Sequence, residues 1–385
     1  MESTLTPTSL KAVSSERYLS LDVLRGMTIA LMIVVNTPGS WQFIYAPFRH
    51  AEWHGFTVTD LVFPMFLFVV GNAMSFSMNK YEQEGSGAVL QKLFKRAGII
   101  FLIGLMLNLF PFVYRDAEGV LVLKDFTSVR IMGVLQRIAL CYLIAGLVIH
   151  YLKVKGALIC SAFFLLGYWA VMWYFGDPRD PYSLEGNAAG KFDGLFIPDQ
   201  NLYKGFGIPF DPEGLLSTIP AVVNVFAGYF AGLYIQRDYK IQKKIIGFSI
   251  VGLALLVAAL GWDMQFPINK PIWTSSYVLY SIGWSLLVLS GLMTTIELLQ
   301  FKNWTLFFEV FGKNPLFIYI LSGVFIKLFF IIRIDGQSLH HTLYQNLFLS
   351  WTDGKLASLL YALCYTLLLW LIGWWMMRRR IFIKV

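Results

Sequence analysis

The sequence predicts an all-α integral membrane protein of about ten transmembrane helices with both termini cytoplasmic, and three observations carry that reading. Of 385 residues, 57% are hydrophobic and only 14% charged, where a soluble domain carries roughly a quarter charged. The apolar residues arrive in blocks, Ile99 to Leu109, Val222 to Ile235, Ile245 to Leu260 and Leu356 to Met377 being the plainest. Spans near the ~20-residue bilayer length must close their backbone hydrogen bonds internally, which helices do. A β-barrel would show short alternating segments instead. The third observation is the uneven division of basic residues between the two sides that alternating spans create.

The spans fall at about 20–37, 57–79, 93–113, 129–151, 156–175, 214–235, 242–261, 273–298, 304–332 and 355–377. With these, eighteen of the 31 Lys and Arg lie on the side of the termini and ten on the other. Misplacing one span would invert every later loop and erase that bias. The net charge of +8 therefore reads as basic membrane edges attracted to anionic lipid rather than as a nucleic-acid surface. Residues 1–16 read as a flexible cytoplasmic tail without the basic, apolar and cleavage regions of a signal peptide. Residues 17–385 read as a single transmembrane domain with long outer loops at 38–56 and 176–213. Cys141, Cys160 and Cys364 lie in apolar spans and are expected as buried thiols rather than disulfides.

The candidate chemistry gathers on the outer side. His50 and His54 sit in Phe48-Arg49-His50-Ala51-Glu52-Trp53-His54-Gly55, with an acid and an indole between them. Histidine transfers protons near neutral pH and can also accept an acyl group. Their spacing of four invites a zinc reading, but the Glu is misplaced for H-E-x-x-H and no third ligand follows at a recognisable spacing, so no metal is expected. His150 is expected to solvate the inner end of its span, and His340 and His341 to occupy a short polar loop. Asp60, at the outer end of the second span, can orient a histidine or cap a helix. Asn36 ends the first span and offers a neutral donor to a developing oxyanion. Asp211-Pro212-Glu213-Gly214 has the pattern of a helix start, with Asp211 as N-cap. Gln136 and Arg137 lie inside the fourth span, where an arginine must pair or line a hydrated cavity. Asn269 and Lys270, with Trp273 nearby, could hold a sugar. Gly312-Lys313-Asn314-Pro315 interrupts the ninth span on the inner side and is a candidate anion or cofactor mouth. These residues alone do not name the reaction.

At these positions the chain resembles the heparan-α-glucosaminide N-acetyltransferase family of transmembrane acyltransferases, its bacterial NagX-type branch in particular. The likeness runs through Arg17-Tyr18-Leu19-Ser20-Leu21-Asp22-Val23-Leu24-Arg25-Gly26, Val35-Asn36, His50 to Gly55 and Asp60-Leu61-Val62-Phe63-Pro64. It continues through Gly133 to Ala139, Asp211 to Thr218, Asn269-Lys270 and Gly312 to Leu316. The resemblance implies transfer of an acetyl group from cytoplasmic acetyl-CoA, a co-substrate, to the amine of a glucosamine-type sugar at the periplasmic face. By that likeness His50 is the acyl acceptor or general base, Asn36 polarises the thioester and Asp60 supports the histidine. Trp53, His54, Asp211, Asn269 and Lys270 would then bind the acceptor sugar, and Gln136, Arg137, Lys313 and Asn314 the donor. A multi-pass protein of the bacterial inner membrane, in lipid and as a homodimer, is implied as well. The short N-terminal tail, where lysosomal members carry a luminal domain, suggests a small amino sugar or envelope glycan as acceptor. A transporter for N-acetylglucosamine is the alternative; it predicts an internal repeat with paired broken helices, and the halves show none. A scaffold with merely structural polar residues leaves Arg137 unexplained.

Overall fold

The computed structural model describes residues 18–116 and 118–383; the tail predicted over 1–16 lies outside them. Twelve α-helices occur among the described residues. They are α1 (Leu19–Asn36), α2 (Val58–Gln83), α3 (Ser86–Leu109), α4 (Val134–Phe175), α5 (Ala188–Phe196), α6 (Thr218–Ile235) and α7 (Ile241–Asp263). The series continues with α8 (Ser275–Met293), α9 (Thr305–Lys313), α10 (Pro315–Ile331), α11 (Leu339–Tyr344) and α12 (Gly354–Arg378). The described strands form two small antiparallel hairpins, Val113–Arg115 with Leu121–Leu123 and Arg333–Ile334 with Gln337–Ser338. The protein is an all-α membrane protein. Among the described residues seven helices are long and apolar enough to cross a bilayer, eight if α9 and α10 count as one bent span.

Two local features explain why this count differs from the spans read in the sequence. The segments 129–151 and 156–175 are joined in one 42-residue helix, α4, interrupted at Lys153, whose φ of 56° is not helical. Near that break His150 and Lys153 meet Glu82 at the end of α2. Arg137 and Tyr168, toward the two ends of α4, instead bond to Gly214 and Ile272 on the far side, so α4 doubles back. The helix α3 carries Lys92, Lys95 and Arg96 in its first half. The break at Gly312-Lys313-Asn314-Pro315 is real: α9 and α10 meet at 85°. Pro315 opens α10, where a missing N–H costs nothing, and forces Asn314 out of helical geometry.

Helices in lipid gain little from the hydrophobic effect and rely on close backbone contact. α2 and α6 show this: a Cβ on Gly71 would meet the Val225 carbonyl oxygen at 1.8 Å, and one on Gly228 that of Phe68 at 1.8 Å. Outward faces expose Ile159, Phe163, Val257 and Leu371 to lipid. Cys141 is buried as expected, but Cys364 is exposed on α12. The loops around His50 have an apolar core of their own, with Tyr168, Met172, Phe210, Phe266 and Ile272 buried and Trp53 packed against them. That second core fixes the loop bearing His50. His340, read as part of a polar loop, is buried in α11 with its ring 4.4 Å from Phe330.

Candidate active site

The site is built where the loop before α2 meets the loop before α8. The Gly55 N–H donates to the Ile268 carbonyl at 2.8 Å and ties the two loops together. Asp60, in the first turn of α2, is 2% exposed and divides its oxygens between two tasks. Oδ2 accepts from the backbone N–H of Thr57 at 3.1 Å, from its hydroxyl at 3.0 Å and from the N–H of Ala51 at 3.1 Å. These bonds cap α2. Oδ1 faces His50 Nδ1 at 2.6 Å and Lys270 Nζ at 3.5 Å. Asp60 thus faces His50 with one oxygen and caps α2 with the other. The Tyr277 hydroxyl holds the Asp60 carbonyl at 2.6 Å from α8.

A carboxylate at Nδ1 favours the tautomer with the proton on that nitrogen and leaves the Nε2 lone pair as acceptor. The His50 side chain is 45% exposed, so its ring is reachable from outside the protein. Lys270 Nζ also stands 3.1 Å from His50 Nδ1; with the proton between His50 and Asp60, the ammonium is directed to the carboxylate. Burial lowers the pKa of Lys270, while Asp60 and Glu213 pull it back up. Asn269, fully buried, accepts from the Ile272 N–H at 3.0 Å and faces His54 Nδ1 at 3.3 Å. Desolvation lowers the pKa of His54 against Asp180 and Asp263. Trp53 donates its indole N–H to the Tyr182 carbonyl at 2.8 Å and meets Phe210 edge-on. The cluster of His50, Asp60, Lys270, His54, Asn269 and Trp53 is thus one connected unit.

Other predicted residues go elsewhere. Asn36 ends α1 on an exposed position and makes no hydrogen bond to His50. Asp211 is not an N-cap: α6 starts at Thr218, seven residues later. Its carboxylate instead grips Arg130 with both oxygens, at 2.7 and 2.8 Å, and accepts from the Glu213 N–H at 2.9 Å. The cause is Asp193, whose Oδ1 accepts from Leu215 N–H at 2.9 Å and Leu216 N–H at 3.1 Å and holds that stretch out of the helix. Gly214 is required there, because a Cβ would lie 1.6 Å from Asp193 Oδ2. Burial raises the Asp193 pKa to about 6, against the Leu216 N–H and Arg137. Glu213 also pairs with Arg130. Arg137 is wholly buried, bonded to Ser217 and to the Gly214 carbonyl, with its guanidinium 4.7 Å from the Trp273 ring. Gln136 is buried beside it on α4, packed against Gly104.

The residues expected to hold the donor are consequently divided. Gln136 and Arg137 lie beneath the His50 site, whereas Lys313 is 3.9 Å from Asp22 on α1 at the opposite end. Asn314 is occupied, donating to the Ile381 carbonyl at 3.0 Å and accepting from Ile383 N–H at 2.8 Å. Next to this break lies a cavity of about 100 Å³ lined by Arg25, Arg96, Tyr142, Phe66, Ile138 and Pro315. Arg96 stacks its guanidinium 5.0 Å from the Tyr142 ring and leaves Nε without a partner. Phe66 is six residues beyond Asp60 on α2, about 9 Å along the axis. Phe63 lies between them, its ring 5.2 Å from Trp273. Sequence reading overlooked Arg96 as an ordinary membrane-edge cation, and Asp193 and Arg130 because no local pattern marks a partner far away in the chain.

A family model described as heparan-alpha-glucosaminide N-acetyltransferase, catalytic, matches residues 17–261, which include His50 and Asp60. The chain belongs to the heparan-alpha-glucosaminide N-acetyltransferase family. Heparan-alpha-glucosaminide N-acetyltransferase of Homo sapiens is 28% identical over 387 residues, covering 86% of this chain and 57% of that protein. The Mus musculus enzyme of the same name is 27% identical over 390 residues, covering 87% of this chain and 58% of its own. The chain thus spans less than two thirds of these family members. The alignment with each extends beyond the 245 residues that the family model matches.

Proposed function

We propose that this protein is a transmembrane N-acetyltransferase that moves an acetyl group from acetyl-CoA to the amine of a glucosamine-type sugar. The names of its relatives support the reaction class, and the observation that carries the residue assignment is the 2.6 Å contact between His50 Nδ1 and Asp60 Oδ1 beside a largely buried Lys270. In this reading ten crossings, with α4 counted twice, put both termini in the cytoplasm and His50 at the periplasmic face of a bacterial inner membrane. Residues 17–385 then act as a single transmembrane domain.

His50 Nε2 removes a proton from the neutral acceptor amine as the amine nitrogen attacks the thioester carbonyl. The C–S bond breaks and the leaving thiolate takes that proton back from the imidazolium. In the two-step variant Nε2 attacks first and passes the acetyl group on. Asp60 holds the ring and stabilises the imidazolium, and Lys270 offsets the carboxylate charge. Asn36 polarises the thioester in this scheme only if the end of α1 turns toward His50. Trp53, His54 and Asn269 form the sugar side of the site, with Asp211 shaping its floor through Arg130. The donor enters at the inner end, where Arg25, Arg96 and Lys313 supply the cations that a pyrophosphate needs. Gln136 and Arg137 then lie near its thioester end, and the Phe63–Trp273 layer must yield for the acetyl group to pass. Replacing His50 with Ala in the membrane-embedded protein should lower labelled acetyl transfer to glucosamine at least about a hundredfold. Full turnover by the folded variant rejects the assignment.

A further inference from the structure

The largest cavity described, about 490 Å³, shares no lining residue with the His50 cluster and lies in the wall formed by residues 154–175 of α4 together with α6, α7 and α8. Its lining includes Leu165, Ala227, Phe230, Val251, Leu255 and Ile282. The polar side chains on that lining are already spent: the Ser161 hydroxyl donates to the Ala157 carbonyl at 2.8 Å, and the Tyr234 hydroxyl donates to the Lys243 carbonyl at 3.2 Å. A polar ligand would lose its hydrogen bonds on entering, whereas a hydrocarbon chain loses none. Leu158 and Val251 on the rim are exposed, so the slot opens toward lipid.

What distinguishes the slot from an ordinary lipid-facing groove is the end nearest the α6–α7 turn. Tyr234, which lines it, packs against Tyr239, their rings 5.7 Å apart. Lys243 sits 4.1 Å above the Tyr239 ring, and Arg237 donates to the Tyr239 hydroxyl at 3.4 Å. Arg237, Lys240 and Lys243 are all exposed there, beside a single acid, Asp238. Lys244 does not join them, being buried and bonded to Tyr18 and the Ile235 carbonyl. A hydrocarbon slot of ligand size thus runs up to three exposed cations at a helix turn. We infer that this slot binds one anionic phospholipid, an acyl chain between α4, α6 and α7 and the headgroup phosphate on Arg237, Lys240 and Lys243. The site is independent of the catalytic reading.

Native mass spectrometry of the full chain in detergent, after exposure to phosphatidylglycerol or phosphatidylcholine, tests this. One phosphatidylglycerol should stay bound per chain, with about a tenfold preference over phosphatidylcholine. Ala227→Leu, which narrows the slot, should weaken retention of both lipids. The triple variant R237Q/K240Q/K243Q should still hold a lipid but lose the preference. It alters exposed side chains alone, so its result stands even where the narrowed variant fails to fold. Equal retention of the two lipids by the unmodified protein would overturn the proposal. So would undiminished retention by folded Ala227→Leu, an unchanged preference in the triple variant, or a second copy of the chain displaced by narrowing the slot.

Discussion

At His50 itself the network is closed: both oxygens of Asp60 are occupied, Lys270 is wedged beside them, and Asn269 is tied to its own loop and to His54, while Arg137 beneath keeps Nε and one Nη without hydrogen-bond partners. The cavity beside the α9–α10 break is built differently. Arg96 projects among Phe66, Ile138 and Pro315 with its buried Nε lacking a partner, while Arg25 beside it pairs with Asp22 at 3.2 Å. A general base benefits from a fixed ring and a fixed tautomer, which a saturated network supplies. A site for a charged ligand needs donors held in reserve, which cost stability until the ligand arrives. In the proposed reading the first turn of α2 serves positioning, and the stretch from Phe66 to Ala73 on the same helix serves capture.

The most forceful way to break this contrast is at Asp60. Asp60→Asn should lower kcat by about 10² to 10⁴-fold, since a neutral amide no longer fixes the tautomer or supports the imidazolium. The acceptor KM should change far less, and transfer of labelled acetyl in the purified variant provides the reading. A fall confined to KM would place His50 outside the chemistry. A smaller effect is expected at the other end. Arg96→Ala removes one charged donor and should raise the donor KM by about tenfold to a hundredfold. Acceptor KM and kcat at saturating donor should stay within about twofold; equal damage to both substrates would merge the two regions into one.

The mildest prediction concerns the turn beneath the outer site. Folded Asp193 keeps its proton up to about pH 6, whereas an unfolded aspartate releases it near pH ~4. Folding therefore takes up a proton between those values, and this group's contribution to stability falls as pH rises through that window and is level above it. Asp193→Asn keeps an oxygen for the Leu215 and Leu216 N–H groups. It should flatten the fall in melting temperature between about pH 4 and 6 without loss at pH 8. An unchanged slope would assign the titration to another group.

The membrane class and most helix positions were legible because apolar block length and Lys or Arg placement are local properties. The break at Asn314-Pro315 was legible for the same reason, since proline acts on its immediate neighbours. His50 and Asp60 stood out through their short spacing, and Asn269-Lys270 through their place before α8. Asp211 misled because its Asp-Pro-Glu sequence imitates a helix start, while Asp193, eighteen residues earlier, takes the N–H groups that would have continued the helix. Arg130 and Arg96 were hidden: a partner 81 residues away for the former and a cavity wall from α1, α2, α4 and α10 for the latter leave no local trace. The doubling back of α4 at Lys153 was legible as two lysines between the apolar runs read as spans 129–151 and 156–175.

Sealed vesicles holding the protein in one orientation give the most direct measurement. Labelled acetyl-CoA is supplied at the face of the Arg96 cavity and a membrane-impermeant glucosamine acceptor at the face of His50. Label should reach the acceptor in this arrangement and not when the two reactants are exchanged. Transfer that occurs only with donor and acceptor together at the His50 face would contradict passage through the protein and leave the inner cations without a part in the reaction.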